Sequence, residues 1–103
     1  MAEYVKVAQK KDIVSGSVKN ISVNGLSLAL INIDGEYFVL EDACSHAGCS
    51  LSSEGFLDGT SIVCGCHGSK FAVKDGKVLN PPASKPQRIY PVKIEGEDIF
   101  ISI

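Results

Sequence analysis

All the cysteines and histidines of this chain lie in one short window, and that window dictates where the backbone must fold back on itself. Four cysteines and two histidines occur, at Cys44, His46, Cys49, Cys64, Cys66 and His67. Outside the window the only other soft donor is Met1. Each half of the window pairs a thiol with an imidazole. The first half is Cys44-Ser45-His46 and the second is Cys64-Gly65-Cys66-His67, with seventeen residues (47 to 63) between them. Clustering this tight marks a metal centre. Two thiolates and two imidazoles match a [2Fe–2S] cluster with mixed ligation, in which cysteines hold one iron and histidines the other. Each half would then give one ligand to each iron, so the two stretches must meet in space as facing loops. Neutral imidazole ligands favour the added electron and raise the potential above that of an all-cysteine cluster. Two other readings use the same residues. A structural zinc ion also accepts two cysteines and two histidines, but its usual spacing sets cysteine near cysteine and histidine near histidine. A secreted domain bridged through all four cysteines would leave the histidines without a role, and residues 1 to 4 lack the basic and apolar regions of a signal peptide.

The rest of the chain reads as short strands separated by turns. Residues 4 to 7 alternate apolar and polar, as a half-buried strand does, and Ser17–Val23 is similar. Leu26–Ile33, the pair Asp34-Gly35 and residues 36 to 40 make a strand–turn–strand signature, because Asp-Gly is favoured in two-residue hairpin loops. Asp58-Gly59 and Asp75-Gly76 repeat the signal. Short strands are expected at residues 62 to 63 and 71 to 73, flanking the second ligand loop. A last hairpin joins 90 to 94 with 99 to 103. No stretch carries a helical period, although residues 10 to 14 suit a single turn. Short strands at this spacing predict an all-β chain, an antiparallel sandwich or barrel with the ligand loops at hairpin tips. No repeat, linker or second domain is visible. Residues 1–103 are expected to form one domain, with the cluster-binding part at about 42–83.

In Cys44-Ser45-His46-Ala47-Gly48-Cys49 and Cys64-Gly65-Cys66-His67-Gly68-Ser69-Lys70-Phe71 the chain resembles the Rieske family. Asn80-Pro81-Pro82-Ala83-Ser84 is similar to the proline loop that covers the cluster in that family. The resemblance runs over about residues 36 to 103. It implies a Rieske-type fold with a cluster-binding subdomain of two hairpin loops. It also implies one [2Fe–2S] cluster held by Cys44, His46, Cys64 and His67. Cys49 and Cys66 fall where high-potential Rieske proteins carry a disulfide between the loops, so the resemblance implies a Cys49–Cys66 bridge; the alternative is two buried thiols. Ferredoxins of ring-hydroxylating dioxygenases generally lack that pair. Yet residues 55 to 59 and 77 to 94 look more like those ferredoxins. The chain thus joins a ferredoxin-sized body to a high-potential type of motif.

Smaller features bear on tuning. A Ser69 hydroxyl donating to a bridging sulfide would raise the potential; as an ordinary turn serine it would not. Phe71 stands where the high-potential proteins often have Tyr, so one tuning hydrogen bond is missing. Gly48, Gly65 and Gly68 permit tight turns beside the cluster. Ala47 and Leu51 are expected to be exposed near the loop tip.

These features imply a one-electron carrier with no catalytic residues of its own. A Rieske oxygenase needs a second, mononuclear iron with two more histidines and a carboxylate, and both histidines here are already used. No G-x-G-x-x-G for a nicotinamide is present. The formal net charge is −2 and the longest basic tract is Lys10-Lys11, which excludes a nucleic-acid footprint. The longest apolar run, Leu28-Ala29-Leu30-Ile31, cannot span a bilayer. A soluble, cytoplasmic monomer is expected. Its partners would be redox proteins: a flavoprotein reductase on one side and an oxygenase or a respiratory component on the other. Size and Phe71 favour the oxygenase route; the extra cysteines and Ser69 favour the respiratory one. A non-redox interaction subunit, resembling the small subunit of nitrite reductases, is the third possibility, and the intact ligand set argues against it.

Overall fold

The computed structural model describes residues 3–44, 49–66, 68–81 and 85–103. β1 (Tyr4–Gln9) leads through a 3-10 turn at Lys10–Asp12 to β2 (Ser17–Val23), β3 (Leu26–Ile33) and β4 (Glu36–Glu41). A single helical turn, α1 (Leu51–Glu54), precedes β5 (Gly55–Asp58), β6 (Ser61–Cys64), β7 (Lys70–Ala72) and β8 (Val78–Asn80). The remaining strands are β9 (Ile89–Tyr90), β10 (Val92–Glu95) and β11 (Asp98–Ser102). They form three antiparallel sheets, ordered β1-β11-β10, β2-β3-β4-β9 and β5-β6-β7-β8.

The hairpins follow their turn chemistry. Ile33 pairs with Glu36, so Asp34 and Gly35 alone make the β3–β4 turn, with φ of 51° and 85°. Two successive left-handed residues give a turn whose twist matches that of the strands it joins. Asn24-Gly25 serves β2–β3 in the same way. The Asp58-Gly59 signal is displaced by one residue: Asp58 pairs with Ser61, leaving Gly59-Thr60 as the loop. Asp75-Gly76 is not a two-residue turn. It belongs to a longer connection between β7 and β8, in which the Gly76 amide returns to the Ala72 carbonyl.

The apolar run in β3 has a simple cause. The central sheet is buried on both faces, so alternation disappears there. Leu28, Leu30 and Val39 point to one core, shared with Ile99 and Ile101 of β11. Ile31 and Leu40 point to the other, shared with Ile62 of β6 and Phe71 of β7. The central sheet is therefore a wall between a scaffold core and the half that carries Cys44 and Cys64.

The expected strand at 90 to 94 is divided by Pro91. Tyr90 pairs with Val39 in the central sheet, whereas Val92 pairs with Ile101 in the first. Proline has no N–H to continue a ladder. Its carbonyl is used instead, accepting the Ser102 amide at 3.0 Å. β4 and β9 are neighbours, and the Glu41 amide meets the Arg88 carbonyl at 2.8 Å. All of the third sheet thus lies in an excursion that leaves and rejoins the central sheet at one place. Among the described residues no helix is long and apolar enough to cross a membrane.

Candidate metal centre

Cys44 and Cys64 sit at the necks of two loops. Cys44 lies just inside an antiparallel bridge between Ala43 and Ser50, and its amide donates to the Cys49 carbonyl at 2.8 Å. Cys64 is the last residue of β6; its amide donates to the Ser69 carbonyl at 2.7 Å, and its carbonyl accepts the Gly68 amide at 2.9 Å. Each loop is thus closed by main-chain hydrogen bonds on a cysteine. Both side chains are buried, at 3% and 1% exposure, within the core that includes Leu51, Ile62, Phe71 and Val73. Cys49 and Cys66, one from each loop, are joined in a disulfide with Cα atoms 6.6 Å apart. The loops are therefore tied to each other by this bridge and rooted in one apolar core. His46 and His67 lie outside the described residues, as do Ala47, Gly48 and residues 82–84 of the proline loop.

Buried polar groups hold the necks in place. Asp42, only 4% exposed, takes the Ser52 amide at 2.8 Å on Oδ1. Its Oδ2 accepts the Ser50 hydroxyl at 2.6 Å and Asn20 Nδ2 at 3.2 Å. Ser50 in turn caps α1 by accepting the Ser53 amide. Gln87 Nε2 donates to the Glu41 and Ala43 carbonyls, both at 2.6 Å. A Cβ at Gly65 would overlap the Glu54 carbonyl, so glycine there lets the second loop lie against the end of α1. Gly68 is left-handed at φ 82°. Ser69 is fully buried next to it.

Some of this was not foreseen. Leu51, expected at the exposed tip, is wholly buried as the first residue of α1. Asp42 and Gln87 carry no spacing signature. For Asp42 the only hint is an acidic residue two before Cys44 with serines at 50 and 52 to answer it.

The residues present fit one half of a mixed-ligand cluster. Two soft donors outside the disulfide, from two separate loops, enter one apolar core, which suits a buried thiolate pair on a shared iron. The imidazole half falls on residues outside the described set.

Comparison with known proteins agrees. The family model described as Rieske [2Fe-2S] domain matches residues 3–91. The biphenyl dioxygenase ferredoxin subunit of Pseudomonas sp. (strain KKS102) is 37% identical over 98 residues, covering 95% of this chain and 90% of that protein. The Sphingomonas yanoikuyae B1 ferredoxin superposes with a TM-score of 0.90 at 30% identity, covering 98% of this chain and 99% of that one. A ferredoxin solved as a complex of reduced oxygenase and oxidised ferredoxin in carbazole 1,9a-dioxygenase superposes with a TM-score of 0.89 at 28% identity, covering 96% and 92%. The three-sheet all-β architecture, the loop necks and these relatives lead to one assignment: the chain belongs to the Rieske [2Fe–2S] family, among its ferredoxins, which carry electrons on a cluster and are not themselves enzymes.

Proposed function

We propose that this chain is the ferredoxin component of an aromatic-ring dioxygenase system, taking electrons singly from a flavoprotein reductase and delivering them to a terminal oxygenase. The observation that carries the reading is the pair of buried cysteines, Cys44 and Cys64, at the necks of two laced loops. In this reading Cys44 and Cys64 hold one iron of the cluster, His46 and His67 hold the other, and Ser69 tunes it. When bound, the cluster supplies a one-electron couple whose potential is raised by its imidazole side. The chain's own residues fix the cysteines, exclude water from the thiolate side and lace the loops. Residues 1–103 act as one domain, soluble and cytoplasmic, with the cluster-binding part at about 42–83. Similarity to the biphenyl dioxygenase subunit and to the ferredoxin of the carbazole dioxygenase complex supports the oxygenase route over a respiratory one.

Purified protein is expected to contain two irons and two sulfides per chain, and no stoichiometric zinc. It should be reduced by a flavoprotein reductase of a dioxygenase system and reoxidised by the cognate oxygenase. A protein with one zinc and no sulfide would overturn the cluster reading. A cluster-bearing protein that exchanges electrons only with respiratory components would overturn the partner.

A further inference from the structure

The sulfur atoms of Cys49, Cys64 and Cys66 all lie within 4.8 Å of one another, and Cys44 is not part of that trio. A cysteine that is not disulfide-bonded therefore stands beside a disulfide it does not belong to. We propose that, when the cluster is absent, Cys64 exchanges into the Cys49–Cys66 bridge and locks the chain against reloading. The part about reloading rests on the reading of Cys64 as a cluster ligand.

The step is balanced within the chain. The Cys64 thiolate attacks Cys49 Sγ, a Cys49–Cys64 bond forms, the Cys49–Cys66 bond breaks, and Cys66 leaves as the thiolate. No oxidant is consumed, and the chain keeps one disulfide and two thiols. Burial gives the direction. Cys64 is 1% exposed and lies in an apolar core, whereas Cys66 is exposed. The exchange leaves the new disulfide against the apolar core and the released Cys66 sulfur where solvent reaches it. The product still ties the two loops together, so the exchange does not unlace the fold. It removes one of the two buried cysteines from metal binding. A dithiol reductant, opening the new bridge to two thiols, restores it. A bound cluster holds Cys64 and prevents the exchange.

The test uses the purified holo protein. The cluster is stripped by an iron chelator under argon without reductant, thiols are alkylated at intervals, and the disulfides are mapped by mass spectrometry. In the holo protein the bridge is expected to be Cys49–Cys66 alone. After stripping, Cys49–Cys64 should accumulate with alkylation moving to Cys66, at a constant two thiols per chain. Reloading with iron and sulfide should fall by the rearranged fraction and recover after dithiothreitol treatment. The Cys44→Ser variant, made without a cluster, should show the same shift with no chelator. A bridge that stays Cys49–Cys66, with Cys64 always alkylated, overturns the proposal. So does oxidation to a Cys44–Cys64 bridge with no thiol left. If the exchange occurs but Cys64→Ser still takes up a full cluster, the ligand reading fails while the exchange stands.

Discussion

Ser69 is fully buried, and its carbonyl holds the amide of Cys64. A hydroxyl so close to the Cys64 neck would favour the more negative, reduced state of a cluster held there. Ser69→Ala is expected to retain the cluster and lower the midpoint potential by about 40 mV, the one-electron equivalent of a hydrogen bond worth about 1 kcal/mol. An unchanged potential in a redox titration would mean that the hydroxyl donates elsewhere. Gln87 acts on the other neck. Gln87→Ala leaves the Glu41 and Ala43 carbonyls without that donor and should destabilise the fold by about 2 kcal/mol, read as a lower denaturant midpoint. Such residues define how far the sequence could be read at this scale. Cys44 and Cys64 announce themselves because thiols are rare and spaced. A lone Asp42 or Gln87 does not, because any polar residue between two strands looks like a loop residue until its partners are known. Leu51 is opaque for the converse reason: one apolar residue just after Cys49 reads as a tip, and only the four-residue α1 turns it inward.

Two elements give tests of their own. The Cys49–Cys66 bridge closes a separation of 17 residues, worth on the order of 3 kcal/mol against the reduced chain in a loop-entropy model, and less where a cluster already ties the loops. Cys49 and Cys66 of the holo protein should resist alkylation until reductant is added; rapid labelling of both in the untreated protein would refute the bridge. At the β1–β11 pair, Gln9 and then Lys6 hydrogen-bond to Asp98 and hold its carboxyl below the usual 3.8. A depressed folded-state value means the stabilisation is complete above that ordinary value and disappears as pH falls through the lowered one. Asp98 is at the surface, so the effect is small. The difference in denaturant midpoint between the wild type and Asp98→Asn should be present at neutral pH and vanish in strong acid. A difference independent of pH would assign it to packing. Strand identity was legible from alternation and from Asp34-Gly35. The break at Pro91 was also marked in the sequence, since a proline inside an apparent strand divides it. The alternating pattern from 90 to 94 obscured it.

At the scale of the molecule, β3 sends alternate residues into two separate cores, and substitutions on its two faces should part company. Leu30→Ala and Ile31→Ala each remove a fully buried side chain and should each cost about 2–4 kcal/mol. Only Ile31 belongs to the core that holds Cys44 and Cys64. Ile31→Ala is expected to release iron faster at a temperature where the chain is still folded, and Leu30→Ala to leave that rate unchanged. Equal rates of iron loss would show that the wall between the cores transmits disturbance. This division could not be read from the sequence. The run Leu28 to Ile31 signals burial but not that two different sets of strands do the burying, because strand order across sheets depends on contacts far apart in the chain.

The joined strands β4 and β9 have a consequence for how such a protein can change. The chain departs after Glu41 and returns at Arg88, where the two backbones are already hydrogen-bonded. Whatever is threaded between those points adds no new path through the scaffold. The segment behaves as a cassette clamped at one hinge line. It can be traded for the matching segment of a relative with a different loop chemistry, provided the inward residues opposite Ile31 and Leu40 are kept. A redox centre and its recipient framework can thus diverge at separate rates within one chain.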